Sequence, residues 1–281
     1  SSFAHAAKGP VITKAIPKSG EKLPVVGLGT ASSFASSQDV AARRDVIETL
    51  FAGGGTLIDT APSYAQAEEV TGAILQDLKA TKKTFIATKV RVEGRENGIT
   101  SFKASLEKLK TDKIDLMQIH NLVDTATHLA TMRDWKKQGT FRYLGITHWQ
   151  PDQQEKLADV MAKEELDFVQ LNYSVDVREP EKRLLPLAQE RGIAVLVNVP
   201  LGRGRLLEAV KGKELPAWAK DFGCDSFAQL LLKFVVSHPA VTVAIPATSK
   251  AKHMADNIAA AYGRLPDDKE RQKIAEFWAN V

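Results

Sequence analysis

Four polar side chains in this sequence of 281 residues have the types and positions that a proton-transfer site requires. Asp59, Lys89 and His120 each end a short apolar run, and Tyr64 follows five residues after the aspartate. A charge at the end of a buried strand is costly without a partner, so these side chains are expected to converge. A nearby ammonium favours the tyrosinate form of a phenol, a carboxylate would hold that ammonium, and an imidazole would orient a carbonyl group. The set predicts a general acid beside a carbonyl, with hydride coming from a cofactor.

Each of these residues also has an ordinary structural interpretation. Asp59 would cap a helix, Lys89 would extend into solvent, and His120 would be a hydrogen-bonded core residue. Their common position at the ends of consecutive apolar runs favours the functional interpretation over three separate structural ones.

The elements that must position these residues are eight short apolar runs rich in Val and Ile. Such runs are typical of strands that are buried on both faces of a sheet. Amphipathic segments with helical periodicity separate them, and a hairpin with a turn at residues 17–20 precedes them. A last helix carries Ile274 and Trp278. The predicted strands span residues 25–28, 57–59, 85–90, 114–120, 143–147, 168–172, 194–199 and 241–245.

Strict alternation of strand and helix predicts a parallel sheet, and eight units in this length predict a closed (β/α)8 TIM barrel with an N-terminal β-hairpin and a C-terminal helix. An open doubly wound sheet would place Gly-x-Gly-x-x-Gly after its first strand, whereas this run ends Gly27-Leu28-Gly29-Thr30. We expect one domain over residues 1–281, with residues 1–10 as a disordered tail. Chemistry in such a barrel lies at the carboxyl ends of the strands.

Composition narrows the classes of partner. The 38 basic residues are interspersed with 34 acidic ones, which argues against nucleic-acid binding. No apolar run reaches the length of a membrane span, and a single cysteine excludes an intramolecular disulfide and a Cys-rich metal site. An Ala-x-Ala pattern at residues 4–6 is typical of a secretory signal, so cytoplasmic and periplasmic locations both stay open. We expect a monomer.

An ordered series of motifs resembles the aldo-keto reductases from about residue 10 to the end. The resemblance implies that Tyr64 is the general acid in reduction and the base in oxidation, that Lys89 paired with Asp59 favours the tyrosinate, and that His120 orients the carbonyl. The motifs are Gly27-Leu28-Gly29-Thr30, Ile58-Asp59-Thr60-Ala61 with Tyr64, Thr88-Lys89, Ile119-His120, Gly145-Ile146-Thr147, Val169-Gln170, Pro200-Leu201-Gly202 with Gly204, Ile245-Pro246-Ala247-Thr248-Ser249, and Asn257.

The resemblance also implies a nicotinamide cofactor across the barrel mouth, with NADP(H) favoured and NAD(H) as the alternative. His148 stands where the family has an asparagine, and Asn198 stands where many members stack a tyrosine on the nicotinamide. Lys250 is expected to pair with a 2′-phosphate, and no metal is expected. The implied cofactor-binding residues are Gly29 and Thr30; Thr147, His148, Gln170 and Asn198 at the nicotinamide; Pro200, Leu201, Gly202 and Gly204 at the pyrophosphate; and Thr248, Ser249, Lys250, His253 and Asn257 at the adenosine.

These residues define the substrate less well than they define the proton donor and the cofactor. The loop after His120 is short, which predicts an open pocket for several aldehydes or ketones. Phe34, Trp149 and Trp218 are candidates for lining it, although core or surface positions fit them as well.

Two other functions stay open at this level. One is a regulatory module that binds NADP(H) as a redox sensor and turns over slowly. The other is a metal-dependent barrel hydrolase with Asp59, His120 and His148 as ligands, against which Lys89 would place a cation among the ligands.

Overall fold

The computed structural model describes residues 9–281, and the Ala-x-Ala pattern of residues 4–6 lies outside them. The chain enters through a short antiparallel hairpin of β1 (Thr13–Ala15) and β2 (Lys22–Pro24), in which Thr13 faces Pro24. The hairpin that the sequence predicts is therefore confirmed. Of the tail expected at residues 1–10, only Gly9 and Pro10 are described, and both are exposed.

Eight parallel strands follow within the described residues, each paired with the next along the chain. Single bridges between Val26 and Ala244 and between Gly29 and Ala247 join the two ends of the sheet, so the barrel is nearly closed. A side chain on Gly29 would lie 2.8 Å from the carbonyl oxygen of Ile245, which is why glycine is needed at this junction. The predicted (β/α)8 fold is confirmed. The strands are β3 (Leu28–Gly29), β4 (Leu57–Asp59), β5 (Phe85–Val90), β6 (Ile114–His120), β7 (Phe141–His148), β8 (Phe168–Asn172), β9 (Ala194–Asn198) and β10 (Val243–Ala244).

Some strand bounds differ from those predicted. β9 ends at Asn198 because Val199 has a φ of 51°, which leaves the extended conformation. The first barrel strand starts at Leu28 because the residues before it pair with two different segments. The Val25 amide donates to the carbonyl of Ile12, whereas the Gly27 amide donates to the carbonyl of Ala244. β7 runs on to His148, one residue past its predicted end.

Helices alternate with the strands as predicted, and none in residues 9–281 is long and apolar enough to cross a membrane. Glycines end α1 and α6 at Gly53 and Gly192. The short helix α7, in the connection after β9, was not predicted. The helices are α1 (Val40–Ala52), α2 (Ala67–Asp77), α3 (Arg95–Leu109), α4 (Thr125–Lys137), α5 (Gln154–Lys163), α6 (Leu184–Arg191), α7 (Arg205–Ala209), α8 (Phe227–Val236), α9 (Ala251–Ala259) and α10 (Asp268–Ala279).

Every second residue of a strand points into the barrel, so successive inward side chains lie at different heights along the barrel axis. They form two tiers. The lower tier is an apolar cluster that includes Phe85, Tyr143 and Phe168, and the hairpin residues Ile16 and Leu23 pack into it. The upper tier is polar and carries the residues at the carboxyl ends of the strands. The hairpin therefore closes the floor of the barrel and leaves its chemistry at the opposite end.

The half-buried side chain of Lys14 attaches the hairpin to the outer layer. The Lys14 Nζ donates to the carbonyls of Val236 at 2.6 Å, His238 at 2.8 Å and Val241 at 2.7 Å. Burial and then the charge of Arg271 lower the pKa of Lys14 to about 8, so the amine is protonated at neutral pH.

Replacing Lys14 by methionine is expected to lower the free energy of unfolding by about 2–3 kcal/mol, because buried carbonyl acceptors lose their donor. Urea unfolding at neutral pH measures the effect, with Lys22→Met, at an exposed position of β2, as the matched control. Equal stabilities for the two variants would contradict the prediction.

Candidate active site

The carboxyl ends of β4, β5 and β6 bring Asp59, Lys89 and His120 together, and the turn before α2 adds Tyr64. The Lys89 Nζ lies 2.5 Å from Asp59 Oδ2 and 2.9 Å from the carbonyl oxygen of Thr60. Both charged side chains are nearly inaccessible, at 1% and 3% exposure. The same Nζ lies 4.8 Å from the centroid of the Tyr64 ring, which meets the His120 ring edge to face at 5.8 Å. The four residues predicted from the sequence therefore form one cluster.

The second oxygen of Asp59 is held by two buried amides. Gln118 Nε2 and Gln170 Nε2 each lie 2.9 Å from Asp59 Oδ1. Gln170 also donates to Gln118 Oε1 at 2.9 Å, and Asn198 Nδ2 donates to Gln170 Oε1 at 3.2 Å. This chain of amides fixes the carboxylate from β6, β8 and β9. The ion pair is thus buried with hydrogen bonds to both carboxylate oxygens, the condition under which a buried pair is tolerated.

Opposing effects set the protonation states of the cluster. Burial lowers the pKa of Lys89, but the charges of Asp59 and Tyr64 raise it, and the net shift is upward. Burial first, and then the charges of Lys89 and Arg91, lower the pKa of His120 to about 3. Lys89 is therefore an ammonium and His120 a neutral imidazole at physiological pH. The Ser63 Oγ lies 3.3 Å from His120 Nδ1, within hydrogen-bond distance.

The depressed pKa of His120 makes stability depend on pH. The unfolded chain binds a proton at this imidazole near pH 6.5 and the folded chain only near pH 3, so the free energy of unfolding falls as pH falls through that window. His238, whose pKa burial and then Arg271 lower to about 4, adds an effect of the same sign. Urea unfolding at about pH 7.5 and about pH 5 is expected to show a smaller loss for His120→Gln than for the unchanged protein. An identical loss in both would contradict the prediction.

A cavity of about 790 Å³ opens at this end of the barrel. Tyr64 and His120 lie in one part of its wall, and Thr248 and Asn257 in another. The sequence-predicted residues that line it are Gly29, Thr30, Asp59, Tyr64, His120, Thr147, Trp149, Gln170, Asn198, Pro200, Leu201, Gly204, Thr248, His253 and Asn257. Lys89 lies directly behind this wall through its contact with Asp59.

The structure corrects two predictions for the substrate pocket. Phe34 is completely buried and belongs to the core between barrel and helices, because its amide donates to the carbonyl of Thr30 and the tight turn directs the ring inward. Trp218 packs on Phe222 and Phe277 and is absent from the cavity wall. Trp149 lines the cavity.

Four residues predicted to bind the cofactor also lie outside the wall. His148 is buried, and its Nδ1 accepts from the Gln150 amide. Because β7 includes His148, its side chain points to the opposite side of the strand from Thr147. Lys250 is exposed, its backbone amide donates to Thr248 Oγ1, and the carbonyl of Ser249 accepts from Arg43. Gly202 is half-buried beside the wall residues Leu201 and Arg203.

Several residues that the sequence analysis did not select belong to the site. Arg91, Asn121 and Arg203 line the cavity, and Gln118 holds Asp59. Strand alternation could have indicated two of them, since Gln118 lies two residues before His120 and Arg91 two residues after Lys89. Arg203 lies over the Trp149 ring with 4.3 Å between the guanidinium carbon and the ring centroid, a contact that only the folded chain reveals.

Left-handed backbone conformations follow three of the site residues directly. Ala65 has a φ of 50°, Asn121 of 55° and Val199 of 51°. Each costs about 1–3 kcal/mol and persists only where the surrounding structure enforces it. All three line the cavity, directly after Tyr64, His120 and Asn198. The chain therefore turns sharply at the points where these side chains meet the cavity.

The cavity wall has features that fit an extended anionic ligand. Asn198 Oδ1 is buried without a hydrogen-bond partner among residues 9–281 and is available to a ligand amide. The amino end of α9 lies between Thr248 and His253 in the sequence, and the side chain of Lys250 does not cap it. Free amides at a helix start bind phosphate. The described residues contain no group of three His, Cys, Asp or Glu side chains arranged to hold a metal, and Asp59, one proposed ligand, is paired with Lys89.

Comparison with known proteins agrees with this geometry. Residues 25–279 match the model described as the aldo/keto reductase family. Methylglyoxal reductase YeaE of Escherichia coli is 32% identical over 257 residues, which cover 88% of each chain. An aldo/keto reductase from Klebsiella pneumoniae, solved in complex with NADP and acetate, aligns with a TM-score of 0.79 and 26% identity over 95% of this chain and 96% of that one. A second from the same organism, solved with NADPH, aligns at a TM-score of 0.82 with 24% identity over 96% of both chains and supports the fold.

Proposed function

The chain belongs to the aldo/keto reductase family, and from that premise we propose that it reduces aldehydes or ketones to alcohols with NADPH, with Tyr64 as the proton donor. Carbonyl reduction in general follows from the family. The observation that supports the specific assignment is the buried Lys89–Asp59 pair, because its ammonium lies over the ring of the tyrosine at the cavity wall.

NADPH, when bound, supplies the hydride. The residues present fit it: Thr147, Gln170 and Asn198 offer amide and hydroxyl groups for the carboxamide. The loop at residues 201–204 offers glycine backbone to the pyrophosphate. Thr248, His253 and Asn257, with the amino end of α9, would hold the adenosine portion. The NADP- and NADPH-bound relatives support the phosphorylated form of the cofactor.

The proton comes from the chain itself. As charge develops on the carbonyl oxygen, the Tyr64 hydroxyl donates its proton, and the Lys89 ammonium stabilises the phenolate that remains. Asp59 holds Lys89, and Gln118 holds Asp59, so the ammonium cannot leave the tyrosine without breaking buried hydrogen bonds. In alcohol oxidation the same groups act in reverse, with the tyrosinate as base.

His120 orients the substrate. Its low pKa keeps the ring neutral, with one nitrogen protonated. When Nδ1 accepts from Ser63, the proton is on Nε2, which then donates to the substrate carbonyl oxygen. A neutral donor polarises the carbonyl without competing with Tyr64 as the acid.

The open cavity and the likeness to methylglyoxal reductases suggest small aldehydes as the first substrates to test. NADPH oxidation is followed by absorbance with methylglyoxal and with 4-nitrobenzaldehyde. Turnover of either supports the proposal. Tight NADPH binding without turnover would favour the redox-sensor function, and the absence of binding would contradict the proposed cofactor site.

A further inference from the structure

The guanidinium of Arg91 lies in the cavity wall on the side of the reacting groups. Arg91 follows β5 directly, two residues beyond Lys89, and is exposed to the cavity. Within residues 9–281 it makes neither a hydrogen bond nor an ion pair. Its charge is close enough to His120 to contribute to the lowered pKa of that imidazole. A cation therefore stands beside the place where the substrate carbonyl must lie.

The position of Arg91 excludes the phosphates of the cofactor as its partner. The loop at residues 201–204 follows β9, and α9 follows β10, whereas Arg91 follows β5. Three strands, β6, β7 and β8, separate β5 from β9 in the sheet, so the two positions lie on opposite sides of an eight-stranded barrel. Arg203, which lies in the 201–204 loop, is the arginine on the phosphate side.

Among residues 9–281, no carboxylate of the cavity wall neutralises Arg91. The acidic residues of this described part that line the cavity are Asp59 and Asp256. Asp59 is paired with Lys89, and Asp256 accepts a hydrogen bond from Gln229 Nε2 at 2.7 Å and belongs to α9, on the phosphate side. The wall around Tyr64 and His120 thus carries an unbalanced positive charge.

We propose that Arg91 binds a carboxylate of the substrate, so that the preferred substrates are aldehydes or ketones that also carry a carboxylate group. The inference rests on the proposed carbonyl reduction. The planar guanidinium presents paired N–H donors that match the two oxygens of a carboxylate. An anion there would also be drawn into the cavity by the local positive charge. Arg91 is thus a specificity residue, separate from the proton donor.

The test compares two substrates with the same reacting aldehyde, 4-formylbenzoate and its uncharged methyl ester, by the ratio of their kcat/KM values. The unchanged protein is expected to favour the carboxylate about 10-fold, which corresponds to one bidentate charged hydrogen bond. In Arg91→Met the ratio is expected to fall to about 1 through a higher KM for the carboxylate, with the ester unaffected. Arg91→Lys is expected to retain part of the preference, which should also decrease with added salt because the site is exposed.

The matched control is Arg95→Met, an exposed arginine of α3 that does not line the cavity, and its ratio should equal that of the unchanged protein. A ratio near 1 in the unchanged protein, or one that Arg91→Met does not alter, would overturn the inference while leaving carbonyl reduction intact. A stronger preference for 4-formylphenyl phosphate over 4-formylbenzoate would overturn the choice of carboxylate. Failure to reduce the ester as well as the carboxylate would instead contradict the proposed function.

Discussion

Tyr64→Phe is expected to lower kcat for carbonyl reduction about 1000-fold, because the variant keeps the ring but has no proton to donate. The phenyl ring of the variant keeps the contacts with Lys89 over its face and with His120 at its edge, so the fold and the cavity should be preserved. NADPH binding, measured by fluorescence titration, is expected to remain unchanged. Single-turnover reduction then separates loss of chemistry from loss of binding.

Tyr262→Phe is the matched control for this substitution. The Tyr262 hydroxyl donates to the carbonyl of Gly53 at 2.9 Å, and the residue does not line the cavity. Its removal is expected to leave kcat unchanged. If Tyr64→Phe retained most of its activity, a group other than Tyr64 would have to donate the proton.

Lys89→Met is expected to abolish turnover and also to lower the free energy of unfolding by about 3–5 kcal/mol. The Asp59 carboxylate would remain buried with amide donors on one oxygen and no cation near the other. Removing one partner of a buried pair leaves an uncompensated charge, which costs more than the pair itself contributes. Urea unfolding and steady-state assays measure the two effects separately.

The double variant Asp59→Asn, Lys89→Met distinguishes the structural effect of the pair from its chemical effect. With the carboxylate replaced by an amide, no buried charge remains unpaired, so most of the stability is expected to return while turnover stays lost. A double variant as unstable as Lys89→Met would show that the loss arises from packing and not from charge.

The fold and the central cluster could be predicted because both leave strong patterns in the sequence. Buried parallel strands require apolar runs, and titratable residues at the ends of consecutive runs are explained better together by one site than by separate structural roles. Asp59, Lys89 and His120 were found in this way. Gln118 was not selected because an uncharged amide in a strand costs little and gives no comparable signal, although it holds the carboxylate.

The errors arose where one residue decides the direction of a side chain. His148 was predicted to bind the nicotinamide, but β7 continues through it, and strand alternation points its side chain to the opposite side of the strand from Thr147. Phe34 was placed in the pocket, but a turn closed by the Thr30 carbonyl directs it into the core. Neither the last residue of a strand nor the direction of a turn is encoded in the apolar periodicity from which the fold was predicted.

The two tiers of the barrel interior give mutations separate targets. A change among Phe85, Tyr143 and Phe168 affects how firmly the barrel is sealed by the hairpin, while the groups that meet substrate belong to the other tier. Sequence drift in the floor can therefore adjust heat tolerance in one lineage while its catalytic repertoire stays the same. Libraries designed to change the substrate range can likewise be restricted to residues at the barrel mouth. Stabilising substitutions in the lower tier can then offset the stability lost through changes at the mouth.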